Sequence, residues 1–229
     1  MILKEKTTQI NFKSYALDIF IYLSILFLVR EINVFGHLGS VILGSIMALI
    51  VANWRMKKRD VSWKDLGLRK PENIKKQLWV GVSIIVAVLV MAIMTKVLKN
   101  YFPDVFPTNE NTDNKFAYLK GNLLLFFSII FFIWIESMLE ELIDRGFLMN
   151  WLEGLLFNSS FKIGLAITIQ AVLFGFRHSY DLSEISITTG LIGLFMGIGY
   201  YASGRNLWVL IIVHCILNTY SIGYLTFLK

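Results

Sequence analysis

Only one cysteine, Cys215, occurs among the 229 residues, so no intrachain disulfide can form and the fold rests on packing alone. Proline is nearly as scarce, with 3 residues, and histidine is confined to His37, His178 and His214. Charged residues make up 17% of the chain, against about 25% in an average soluble domain. With 56% hydrophobic residues, the chain cannot cover a water-soluble core with polar surface. The lack of polar and low-complexity sequence also excludes disorder and fibrous repeats. A net charge of +6 and a pI near 9.3 in so apolar a chain mark cytoplasmic loops and contact with anionic lipid, and nucleic acid is not expected as a partner.

What the chain has instead is long apolar runs. A bilayer core about 30 Å thick needs about 20 apolar residues per crossing helix, and at least seven candidate runs appear. They cover approximately 15–29, 32–54, 78–94, 122–157, 161–177, 185–202 and 207–227. This predicts an all-α, polytopic transmembrane bundle with 7 or 8 membrane helices. Residues 1–119 supply the first helices and a basic loop, and residues 120–229 form a helical core within one integrated membrane domain. The first run lacks the small-residue cleavage site of a signal peptide and is read as a retained helix.

The stretch from Arg55 to Gln77 is the most basic in the protein. The positive-inside rule puts it in the cytoplasm, and with it the amino terminus, in a multi-pass protein of the cell membrane, with lipid as a partner. Trp63, Leu66 and Leu68 among its lysines predict a segment lying on the membrane surface. Residues 99–120 hold two prolines and a turn-forming polar run, and read as an extracellular loop. The run 122–157 is too long for one straight crossing, so it is either one kinked helix or two.

Ionisable side chains inside such helices are costly unless paired or functional. Glu136, Glu140 and Asp144 follow an i, i+4 spacing and share one face, while Glu141 and Arg145 form an i, i+4 pair on the adjoining face. Three acids on one stripe repel one another, so at least one must take a proton or a partner. Glu136 also reads as a solvated helix-end residue. Phe174-Gly-Phe-Arg-His178 and His214-Cys-Ile-Leu-Asn218 place the other two polar clusters. Counted from the turn at Asn158-Ser-Ser160, Glu140 and His178 each lie about nineteen residues away, which puts them at similar depth in an antiparallel pair. His214 enters only about eight residues into its helix, so simple up-and-down crossings do not bring it level with them. His37 reads as a packed histidine, Cys215 as a small apolar filler, and Gly190, Gly193, Gly197 and Gly199 as a helix-packing face.

In order, these motifs resemble the CPBP family, the CAAX-prenyl-protease and bacteriocin-processing (Abi-type) family of intramembrane proteases. The family pattern Glu-Glu-x-x-x-Arg matches Glu140, Glu141 and Arg145, Phe-x-x-x-His matches Phe174 and His178, and His-x-x-x-Asn matches His214 and Asn218. The flanking Gly146-Phe147, Ala202-Ser-Gly-Arg-Asn-Leu-Trp208 and Leu66-Gly-Leu-Arg-Lys-Pro71 look like bacterial members. The resemblance implies an intramembrane endopeptidase acting on a peptide or protein precursor. It gives Glu140 with His178 the water, His214 with Asn218 the oxyanion, and Glu141 with Arg145 a supporting role, with Phe174 beside them. Glutamate-type catalysis without a cofactor is the favoured reading. Zinc on Glu140, His178 and His214 is the other, although the His-Glu-x-x-His signature is absent. The alternative function is a non-catalytic protein of the same fold, in bacteriocin self-immunity or membrane regulation. A transporter would need a repeat between the two halves, and none is visible.

Overall fold

The computed structural model of the protein describes residues 12–29, 36–102, 119–180 and 182–227, without the side chains of residues 36–38. The side chain of His37 and most of the polar loop expected at 99–120 therefore lie outside the described residues. Every regular element among the described residues is helical: α1 (Phe12–Leu28), α2 (Gly36–Lys57), α3 (Ile74–Tyr101), α4 (Leu123–Glu140), α5 (Met149–Leu155), α6 (Lys162–Ser179), α7 (Glu184–Ala202) and α8 (Leu207–Phe227). A π-helical stretch, Glu141–Leu148, joins α4 to α5 without a break. The run 122–157 is thus one rod and not two helices. Asn73 caps α3 and Asn122 caps α4, each side chain accepting from the amide three residues on.

Five helical segments are long and apolar enough to cross a membrane: Gly39–Lys57, Ile74–Tyr101, Leu123–Leu155, Glu184–Ala202 and Leu207–Phe227. Their outward faces carry what lipid would meet. On α3, for example, Trp79, Val82, Val86, Val90 and Ile93 are exposed, while Gly81, Ile84, Val88 and Met91 turn inward.

Two contacts fix the frame that holds the site. The first is the α6–α7 hairpin, whose backbones approach so closely that a Cβ on Gly175 would sit 2.3 Å from the Ser186 carbonyl oxygen. Gly190 and Gly193 meet Ala171, and Gly197 meets Ile167, so this glycine face packs on α6 as expected, while Gly199 turns toward Ile84 and Leu210.

The second contact corrects an expectation. The segment between α2 and α3 does not present Trp63, Leu66 and Leu68 to a membrane surface. Leu66 is fully buried, and Trp63 and Leu68 pack on the core. The Leu66 carbonyl accepts from Tyr200 Oη at 2.6 Å, and the Gly67 carbonyl accepts from the Leu207 amide at 3.0 Å. Gly67 has φ +107° and lies so close to Arg205 that a Cβ would sit 1.8 Å from its carbonyl oxygen. The two flanking motifs, Leu66-Gly-Leu and Ser203-Gly-Arg-Asn-Leu, are therefore halves of one latch. Arg59 points inward from the same segment, and its Nε lies 2.9 Å from Asp18, which also binds Arg55 and the Trp151 indole.

Candidate active site

Glu136, Glu140 and Asp144 stand on successive turns of the central rod, and all three are buried. Each is answered by a group from another helix. Ser45 on α2 donates to Glu136 at 2.5 Å, so Glu136 is a buried, hydrogen-bonded carboxylate and not a solvated helix end. Arg177 on α6 donates to Glu140 Oε1 at 2.8 Å and to Asp144 at 2.9 and 3.4 Å. The repulsion along the stripe is thus relieved by one cation shared between two acids.

On the adjoining face Glu141 and Arg145 pair at 3.0 Å, both fully buried. Arg145 lies over the Phe174 ring at 4.4 Å and reaches the Gly193 carbonyl at 3.5 Å. Glu141 also accepts from His214 Nδ1 at 2.7 Å. The pair expected only to hold the rod in register therefore also holds a site histidine. The π-helical turn begins at this residue, and the wider turn lets Glu140 and Glu141 serve different neighbours.

The two histidines converge on Glu140. His178 gives its Nδ1 hydrogen to the Phe174 carbonyl at 2.7 Å, so Nε2 is free to face Glu140 Oε1, 3.9 Å away. His214 gives its Nδ1 hydrogen to Glu141, and its Nε2 faces Glu140 Oε2 at 3.6 Å. His214 thus reaches Glu140 although it is only the eighth residue of α8, its ring anchored on Glu141 of the rod. Phe174 seats both rings, at 4.6 Å from His178 and 6.3 Å from His214. Asn218 lies one turn beyond His214 and donates to Ser137 at 2.9 Å, on the rod just before Glu140. Of Glu140 and the two histidines His178 is the most open, with 32% of its side chain exposed against 8% for Glu140 and 9% for His214.

Glu140, His178 and His214 are donor types that a zinc site uses. Here, however, Arg177 already holds Glu140 Oε1, and among the described residues no three His, Cys, Asp or Glu side chains are placed to share a metal ion. The donors do not fit zinc as they stand.

Arg177, Ser45 and Ser137 carry site contacts that sequence reasoning did not assign. For Arg177 a signal existed: two acids one turn apart needed a cation, and Arg177 adjoins His178 in the second motif. Ser45 and Ser137 gave none, since an isolated serine in an apolar helix ordinarily bonds its own backbone, as Ser137 also does to Ile133.

Residues 122–220 match the family model described as type II CAAX prenyl endopeptidase Rce1-like. No curated protein and no solved structure matches the chain significantly. The matched span contains all three motifs and the side chains that meet at Glu140, and the match supports the resemblance to the CPBP family carried by those motifs.

Proposed function

We propose that the protein is an integral membrane endopeptidase that hydrolyses a peptide bond in a peptide or protein precursor with Glu140 as the base. The observation that carries this reading is the approach of two imidazole Nε2 atoms to one buried carboxylate, at 3.6 and 3.9 Å. A water between them gives one hydrogen to Glu140 Oε2 and hydrogen-bonds His178 Nε2 through the other. Its oxygen attacks the carbonyl carbon as Glu140 takes the proton, and the carbonyl electron pair moves onto oxygen. His214, its ring held through Nδ1 by Glu141, donates from Nε2 to that oxyanion. Asn218 supplies a second donor by exchanging its bond to Ser137. The C–N bond then breaks, and the proton on Glu140 passes to the leaving nitrogen, giving a carboxylic acid and an amine. α1 and α6 are read as embedded with the five spanning segments, making seven membrane helices.

The test compares membrane and secreted peptides from cells with the wild-type protein, with Glu140→Ala at matched expression, and without the gene. The same precursors are expected to accumulate in the last two strains. A peptide profile for Glu140→Ala equal to wild type would remove the catalytic reading.

A further inference from the structure

Arg177 is the one strong cation in direct contact with the proposed base among the described residues, and its geometry goes beyond charge balance. Its Nη2 bridges two carboxylates, 2.8 Å from Glu140 Oε1 and 2.9 Å from Asp144 Oδ2, while Nη1 reaches the other oxygen of Asp144 at 3.4 Å. Asp144 therefore takes the guanidinium by both of its ends, the arrangement that fixes its plane. The Phe174 ring lies 5.4 Å from its centre, and only 10% of the side chain is exposed. Arginine keeps its charge in any protein setting, so the cation of this anchor is not lost as pH rises.

A carboxylate bound at one point turns about its last torsion and can offer either oxygen. Here Oε1 is taken, and Oε2 is the oxygen that faces His214. Resting on the hydrolytic reading above, we propose that Arg177 is a positioning residue: braced by Asp144, it pins Oε1 of Glu140 and leaves Oε2 to take the proton from water. Asp144, one turn along the rod, is then part of the same device, because it sets the guanidinium before Glu140 meets it. The other groups facing this unit are Glu136 on the rod, itself held by Ser45, and Tyr22 from α1, which is fully buried against Phe147.

A simpler role for Arg177 is to neutralise two buried acids, and a double variant separates the two. Arg177→Met alone strands both carboxylates, whereas Arg177→Met with Asp144→Asn removes one cation and one acid together and restores that balance. The experiment uses the full chain in native membranes with two readouts. One is mass-spectrometric mapping of dicyclohexylcarbodiimide, which attacks buried carboxylic acids in their protonated form. The other is cleavage of the precursor that the Glu140→Ala comparison identifies.

In the double variant Glu140 is expected to become reactive to the carbodiimide, and kcat to fall by about 100-fold with KM little changed, as for a misplaced catalytic group. Arg177→Lys is expected to keep Glu140 unreactive and to recover part of the rate. A double variant that cleaves within about threefold of wild type, on the scale where single catalytic contacts cost far more, overturns the proposal. So does failure of the double variant to accumulate beside a fully active Arg177→Lys, which assigns Arg177 to stability alone. If the wild type itself cleaves nothing, the hydrolytic reading fails, and labelling of Glu140 still decides whether Arg177 holds it.

Discussion

Glu141 illustrates how much one residue carries in this site. It answers Arg145 at 3.0 Å and His214 at 2.7 Å while fully buried, so removing its charge strands a guanidinium and frees a histidine at once. Breaking a buried pair by removing one partner costs about 3–5 kcal/mol. Glu141→Gln is therefore expected to lower the thermal midpoint in detergent sharply, whereas Glu140→Gln, with Arg177 still on Asp144, is expected to abolish cleavage with a smaller thermal effect. Equal midpoints for the two variants would contradict this division. At the metal question, dialysis of the purified protein against a strong chelator is expected to leave cleavage intact, because no three His, Cys, Asp or Glu side chains among the described residues are placed to share an ion. Loss of cleavage restored by zinc alone would reverse that expectation. Glu140, His178 and His214 were legible in the sequence because ionisable groups in apolar helices stand out. For Arg177 the sequence signalled the need for a cation but not its partners, since which acid it meets depends on how α6 rotates against the rod, and spacing along one chain does not contain that rotation.

Helices were the most legible elements, since an apolar run bounded by charge or turn residues has few other outcomes. The π-helical turn was invisible, because one altered hydrogen-bond register leaves no trace in residue type. The segment between α2 and α3 misled for a physical reason: apolar residues among lysines suit a membrane surface and a protein groove equally well. In the fold the groove won through Gly67, whose positive φ and absent Cβ admit the chain beside Arg205. Gly67→Ala is expected to cost at least about 1–3 kcal/mol from backbone strain alone and to release Leu66 and Trp63, seen as faster amide exchange over 62–68 and a lower thermal midpoint. Unchanged exchange there would show that the latch does not depend on this glycine. The Ser62 hydroxyl and amide donate to Asp65 at 2.6 and 2.9 Å, holding its carboxyl below its ordinary value. Because the folded form is the better acid, this turn is fully supported above the ordinary carboxylate range and loses that support as pH falls through the lowered value.

At the scale of the whole molecule, the charge is gathered at one end of the bundle, and the site, centred on Glu140 midway along the rod, has His178 on its far side. The Asp18–Arg59 ion pair and the bond from Gln77 Nε2 to the Ser203 carbonyl, 2.9 Å, bring the start of α1, the end of α2, the start of α3 and the α7–α8 turn to one end. Lys57, Lys58, Lys64, Arg69, Lys70, Lys75 and Lys76 are exposed there. The opposite end is marked by the ion pair of Lys99 with Glu184 at 2.5 Å, and the α6–α7 connection that follows His178 lies on that side. If the basic end faces the cytoplasm, as the positive-inside rule predicts, the partly exposed His178 is turned toward the outer half of the membrane. Cysteines in a Cys215→Ser background test this directly. At Lys70 a membrane-impermeant maleimide is expected to label inside-out vesicles and spare intact cells, and at Leu182, which is 80% exposed, the pattern is expected to reverse. Labelling of Lys70→Cys from outside would invert the chain and send the substrate in from the cytoplasmic side. Labelling of both positions from one side would contradict the antiparallel packing itself, since the α6–α7 hairpin and the α2–α3 latch could not then occupy opposite ends of one bundle.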